Sequence, residues 1–246
     1  MDAPPSNASQ SGWLRDAGAR LGIHWMIKVA GTVAFMVAFF VVYFWLLNHP
    51  RFPVTTVPRI FIDRMIPFQP GALTLYLSLW IYVTIAPALL RFPREFVSYA
   101  VSATILSVIG FAIFVVWPTA VPKAEVDPIL LPSLSQLKAV DASGNAFPSL
   151  HVAFAVFTAL WFGRLLREMH AGAFIRAFNW VWCIAIVYST MAIRQHVALD
   201  AISGALLGAL VALVQQKLLD RPAGAKAGAM SARAPVPASI TERTVD

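Results

Sequence analysis

Charge is what this sequence has least of. Only 13% of its 246 residues are Asp, Glu, Lys or Arg, where a soluble domain of this size carries about 25%. That deficit excludes an ordinary water-facing surface and sets much of the chain against lipid. Cysteine is nearly absent: Cys183 stands alone, so no intrachain disulfide can form, and one thiol says nothing about redox compartment. Acidic residues are few, 12 against 19 Lys and Arg, and the net charge of +7 reads as loops held against a membrane rather than as a nucleic-acid footprint. A cleavable leader is not expected either. Residues 1–26 are mostly polar, the first apolar run is long, and Leu47, Asn48, His49 and Pro50 after it offer no small-residue cleavage site, so that run is expected to be a permanent anchor.

What the sequence does have is long apolar runs. A bilayer core takes roughly 20 apolar residues in a helix, and six segments meet or approach that length, at about 28–47, 71–90, 96–117, 150–166, 174–193 and 197–217. The expected fold is all-α, a polytopic six-transmembrane-helix bundle. An N-terminal segment, 1–27, precedes the membrane domain, 28–218, and an Ala-, Pro- and Gly-rich stretch, 219–246, is expected to be a disordered tail. No internal repeat is visible. Most of the Lys and Arg residues fall in the segments that share a side with the N-terminus, which favours both termini in the cytoplasm.

Three outer loops follow. The first, about 48–70, contains VPRIFIDRMIPFQP, expected to lie along the interface as a short amphipathic piece, with Arg59 and Asp63 able to pair on one helix face. The second, about 118–149, is the longest and holds Pro118, Pro122, Pro128, Pro132 and Pro148; such loops are functional or disordered. The third is only Ile193, Arg194 and Gln195.

The chemistry-bearing residues gather at one predicted depth, the outer face. His151 opens the fourth span in GNAFPSLHVAFAV, Arg194, His196 and Asp200 open the sixth, Ser189 and Thr190 close the fifth, and Lys123 follows the third. Each alone has an ordinary reading: Ser149 as a helix cap, Asp200 as a first-turn acid, Lys123 and Arg194 as snorkelling cations. Two histidines, a carboxylate and two cations together point to a site. His196 and Asp200, at i and i+4, are expected to share a helix face, the carboxylate fixing the imidazole tautomer and leaving the other ring nitrogen as a nucleophile. Free N–H groups at the helix start, the Ser149 hydroxyl, Lys123 and Arg194 would hold a phosphate. Metal binding is the rival and the weaker one, since only Asp141, on the long loop, could add a ligand. No metal or other cofactor is expected.

FPSLHVAFA followed at a distance by YSTMAIRQHVALDAISGALLG resembles the type 2 phosphatidic acid phosphatase superfamily, and most closely the branch that includes inositol phosphorylceramide synthases. FVVWPTAVPK and IPFQP resemble that branch's segments ahead of the two motifs, so the resemblance covers roughly residues 60–215. It implies six membrane helices with an outer-leaflet pocket and metal-independent chemistry through a phosphohistidine. His196 matches the nucleophile, Asp200 its orienting carboxylate, His151 the acid that protonates the leaving oxygen, and Ser149 the phosphate-contacting serine. The sequence departs from the commoner pattern in three places. Thr190 stands where an arginine precedes the last motif, Leu150 replaces the glycine of PSGH, and Lys123 is followed by Ala124 rather than leading to Arg-Pro. Arg194, four residues after Thr190, is expected to replace the missing arginine if the fifth helix extends that far.

The leading expectation is a membrane lipid phosphatase acting on a phosphate or diphosphate monoester of a lipid, embedded in a bacterial inner membrane with its site facing outward. The alternative is a phosphotransferase that passes a phospho-headgroup to an alcohol. A transporter or non-catalytic lipid binder would instead place polar residues near the bilayer midplane. No nucleic-acid partner is expected, and the sequence is silent on oligomeric state. GALLG, Gly204–Gly208, is a small-xxx-small pattern expected to mark close helix packing.

Overall fold

The computed structural model describes residues 7–122 and 145–220. In chain order the elements are α1 (Asn7–Gly22), α2 (Trp25–Asn48), β1 (Thr55–Thr56), α3 (Phe61–Met65), a 3-10 turn (Pro70–Ala72), α4 (Leu73–Leu77), α5 (Leu79–Leu89), α6 (Pro93–Val116), β2 (Thr119–Ala120), α7 (Leu150–Glu168), α8 (Ala173–Ala192) and α9 (Ala198–Leu219). Six helical stretches are long and apolar enough to cross a membrane: Trp25–Asn48, Pro70–Leu89, Pro93–Val116, Leu150–Glu168, Ala173–Ala192 and Ala198–Leu219. They match the six apolar runs to within a few residues. The protein is a six-helix membrane bundle.

Local chemistry sets where the helices begin. Three start alike, with a carboxylate in the first turn reaching back to the backbone N–H before it. Asp63 accepts from Ile60 at 2.8 Å, Glu95 from Phe92 at 3.2 Å and Asp200 from Val197 at 3.1 Å. Each satisfies a donor that the helix itself leaves open. Pro93 adds a first-turn proline to α6. Ser149 caps α7, its hydroxyl oxygen accepting from the Val152 N–H at 3.2 Å.

The centre of the bundle is α7. One stripe, Leu150, Ala153, Phe157, Trp161 and Leu165, is buried in the main core, and another, Ala155 and Ala159, packs against Leu79, Tyr82 and Ile186. A helix apolar on all sides belongs in the interior. Beside it lies α9. A Cβ placed on Gly204 would overlap the Ser149 carbonyl, and one on Gly208 would overlap the carbonyl of Ala153. The GALLG segment therefore lets the two backbones touch, as its small-xxx-small spacing predicts. A polar tie crosses the interior: the Tyr82 hydroxyl donates to Asn179 Oδ1 at 2.5 Å, and Asn179 Nδ2 donates to the Ala159 carbonyl at 2.9 Å. It joins α5, α8 and α7.

The two ends of the bundle differ. At one, α1 docks Trp13 and Ala17 on the core, and Arg20 pairs with Asp16 and Glu168 while Arg164 pairs with Glu168 and Asp220. The polar composition of residues 1–27 gave no sign of this helix. At the other end β1 and β2 form a two-residue parallel ladder, Thr55 opposite Thr119 and Thr56 opposite Ala120. Thr119 continues it, accepting from Ala146 at its carbonyl and from Phe147 at its hydroxyl. The first loop, the end of α6 and the approach to α7 are thereby tied together. Asp63 is buried and turned inward, while Phe61, Ile62 and Met65 of α3 face out. The apolar side chains form the outward face, but the expected Arg59–Asp63 pair does not form. Arg59 precedes the helix, and its guanidinium donates to the Pro122 carbonyl at 3.4 Å.

Candidate functional site

The starts of α7 and α9 and the end of α8 meet at the β-ladder end of the bundle. Ser149 and His151 enter there at the start of α7, His196 just before α9 and Asp200 in its first turn, and Ser189 and Thr190 at the end of α8. Of the residues predicted to share one depth, those that the structure describes share one end. Lys123 and Asp141 lie outside the described residues.

His196 owes its place to how α8 stops. The helix ends at Ala192, and Arg194 then takes a left-handed backbone conformation, φ 62°. The turn directs the N–H groups of both Gln195 and His196 onto the Thr190 carbonyl, at 3.0 and 3.1 Å. The expectation that α8 extends to put Arg194 on the face of Thr190 is thus corrected. The Arg194 guanidinium donates to the carbonyls of Asp63, at 3.1 Å, and Ile66, at 2.8 Å.

The pairing of His196 with Asp200 is present, by a different route from the one expected. They do not share a helix face, because His196 lies before the first turn of α9 and Asp200 within it. The incoming chain folds back so that His196 Nδ1 stands 3.5 Å from Asp200 Oδ2. That is longer than a good N–H···O bond, and such bonds are often long before substrate arrives. Asp200 is fully buried, its Oδ2 accepts from Val197, and its Oδ1 has no partner among the described residues. A buried carboxylate with a free oxygen beside an imidazole is a poised acceptor.

His151 faces the same space. Its ring lies flat on Tyr76, centroids 3.9 Å apart and planes 9° apart, with Trp80 edge-on at 5.9 Å. Among the described residues its buried Nε2 has no partner. Both histidines line one cavity of about 180 Å³. Ser149 is buried, with its hydroxyl oxygen occupied as the α7 cap. Leu150, in the place of the glycine of the commoner motif, fits because it packs on Gly110 of α6, whose missing Cβ would come within 2.5 Å of it.

Two residues at the site escaped the sequence reading. Tyr76, the platform under His151, looked like one more aromatic in an apolar run. Asp63 joins the first loop to α9: besides accepting from Ile60, its Oδ1 accepts from the Ala198 N–H at 2.7 Å. Gln69 adds a backbone bond to Ala192 at 2.9 Å. An acid inside the apolar FIDRM was the available signal. Among the described residues no group of three His, Cys, Asp or Glu side chains is placed to hold a metal.

Comparison with known proteins adds one finding. The family model described as PAP2 superfamily matches residues 96–221, a little over half of the chain. It takes in α6 to α9 and with them both histidine motifs. No curated protein and no solved structure matches the chain. The chain belongs to the PAP2 superfamily of membrane phosphoesterases and phosphotransferases.

Proposed function

We propose that the protein is a membrane lipid phosphatase that hydrolyses a phosphate or diphosphate monoester of a lipid through a phosphohistidine. The observation that carries this reading is the meeting in one cavity of His196, backed by buried Asp200, with the Nε2 of His151, unpartnered among the described residues. His196 attacks phosphorus, a P–N bond forms and the P–O bond to the lipid breaks. His151 gives its proton to the departing alkoxide, then takes one from water. That water attacks phosphorus, the P–N bond breaks, and inorganic phosphate leaves with His196 restored. Asp200 holds the imidazole and stabilises its positive form. Ser149, the first-turn N–H groups of α7, Lys123 and Arg194 bind the phosphate oxygens. Two N–H donors of Arg194 are used on the first loop, and among the described residues the rest of its five are left for an anion. The site faces the outside and both termini the cytoplasm, a bacterial inner membrane being the setting.

A second reading is transfer to an alcohol, as in the synthase-like branch of the family. His196 is only 8% exposed, and the cavity beneath it is largely aromatic, which disfavours water and suits a lipid hydroxyl. A transporter fits less well. A deep polar cluster, Tyr82 with Asn179, is satisfied by its own helices and serves as interhelical glue. The test is phosphate release by purified protein in chelator, across a panel of lipid phosphates, with His196→Ala alongside. Release that vanishes in the variant supports the phosphatase. Release only of headgroup-bearing products, dependent on added alcohol, supports the transferase.

A further inference from the structure

The cavity that holds the two histidines does not stop at them. Its lining runs down α2 from Phe44 to Gly31 and reaches Phe96 and Ala100 of α6, a drop of about 20 Å along the helix axis. His151, His196 and Asn145 line it at the site end, and the wall below is built largely of aromatic rings, among them Phe39, Phe35 and Phe154. The floor is a fitted contact: a Cβ on Gly31 would come within 3.0 Å of the Phe96 ring.

One wall of this cavity is unlike the rest of the bundle. Between Lys28 and Leu46 no residue of α2 is buried, yet both ends of the helix are pinned. At one end Lys28 Nζ donates to the carbonyls of Arg20, at 2.7 Å, and Ala88, at 2.9 Å. At the other Asn145 Nδ2 donates to the Tyr43 carbonyl at 3.1 Å, and Leu46 and Leu47 are buried. Between these fixed ends Phe35, Phe39 and Tyr43 of α2 are partly buried against Phe154 of α7 and Phe111 and Phe114 of α6, and a long slot runs beside them. Protein interiors seldom tolerate an apolar void of about 180 Å³, because the lining forfeits its contacts. One water takes about 10–15 Å³ on the same scale, so the slot has room for on the order of a dozen methylene-sized groups, enough for one hydrocarbon chain and too little for two.

We propose that this slot receives a single hydrocarbon chain of the phosphate-bearing substrate, and that its floor at Gly31, Thr32, Phe96 and Ala100 sets the longest chain accepted. The inference rests on the lipid phosphatase reading and deepens it by naming the substrate class: a phosphate on a one-chain anchor, or on a lipid whose second chain stays in the bilayer. The phosphate sits at the histidines, and the chain descends between α2 and α6.

Two experiments test this. The first compares kcat/KM for single-chain lipid monophosphates of graded length in wild type, Thr32→Phe, Ala100→Phe and, on the lipid-facing side of α2, Val33→Phe. Each of the two plugs is expected to lower the ratio of long-chain to short-chain kcat/KM by about tenfold, the loss of a few buried methylenes, while Val33→Phe keeps the wild-type ratio. Plugs that leave the ratio unmoved overturn the proposal. The second uses a lipid phosphate with a photoreactive group at its tail end, on wild type and on His196→Ala. Adducts at residues 31–35 or 96–100, competed by unlabelled lipid phosphate but not by a phosphate-free lipid, support it. Adducts only on lipid-facing residues, or equal competition by the phosphate-free lipid, overturn it. Deep adducts in a protein that releases no phosphate keep the chain site and refute the phosphatase reading, whereas release without deep adducts refutes the chain site alone.

Discussion

The backbone N–H of Ser149 donates to the carbonyl oxygen of Asp200 at 3.0 Å. The two motifs are thus locked to each other through main chain, one residue before α7 on one side and within the first turn of α9 on the other. The lock works because Gly204 presents no side chain to the Ser149 carbonyl. Gly204→Ala must push α7 and α9 apart, at a cost of about 1–3 kcal/mol, and shift His151 relative to His196. Thermal unfolding in detergent is expected to show a lowered Tm, with turnover falling further than stability explains. Gly208→Ala, one turn deeper against Ala153, is expected to cost similar stability and less activity. Equal activity losses in the two variants count against the lock.

The proposed division of labour between the histidines separates on leaving-group chemistry. Asp200→Asn keeps the shape of the buried side chain but removes the charge that holds His196, and is expected to lower kcat by about 10²–10⁴-fold. His151→Ala removes the proton donor, so it is expected to cripple release of a lipid alkoxide yet largely spare an activated nitrophenyl phosphate, whose leaving group needs no proton. His196→Ala loses both. An equal loss on the two substrates for His151→Ala means that His151 is not the acid.

Leu150 and Gly110 form a complementary pair: the larger residue on α7 occupies the space of the missing side chain on α6. Gly110→Ala is expected to destabilise by about 1–3 kcal/mol, and Leu150→Ala by about 2–5 kcal/mol. Combined, they are expected to cost less than their sum, by about 0.5–3 kcal/mol. Strict additivity in chemical denaturation means that the two side chains are energetically independent.

What the sequence made legible was whatever depends on local composition. Six runs of apolar residues call for spanning helices, and each forms a helix long and apolar enough to cross a membrane; GALLG must pack closely, and Gly204 and Gly208 touch the backbone of α7. His151, His196 and Asp200 could be placed at one end because span boundaries fix depth. What was not legible depends on how chain leaves a helix. The i, i+4 spacing of His196 and Asp200 looked helical, but the pair forms across a loop-to-helix entry governed by Arg194 and Thr190. Asp63 was read as the helical partner of Arg59, since nothing in its spacing shows that it accepts from Ala198, far along the chain. The helix at Asn7–Gly22 was missed because its polar composition hides a contact made by Trp13 and Arg20.

Arg194 supplies the last prediction, because it joins a strained backbone to a side chain with two anchors. A non-glycine residue at φ 62° costs roughly 1–2 kcal/mol, and such a conformation persists when the surroundings hold it. Here the guanidinium fork spans the carbonyls of Asp63 and Ile66, and Asp63 in turn caps α9 two residues beyond His196. Arg194→Lys keeps the charge but cannot reproduce the fork. If the anchor matters, Arg194→Lys and Asp63→Ala are expected to share one phenotype, a drop in kcat of about tenfold or more with loss of about 1–2 kcal/mol of stability. If the charge matters for phosphate, Arg194→Lys is expected to keep near-normal turnover while Arg194→Ala raises KM. Arg194→Gly tells the backbone apart from both, since glycine adopts the left-handed turn freely: normal turnover in this variant leaves neither the anchor nor the charge a role in the reaction.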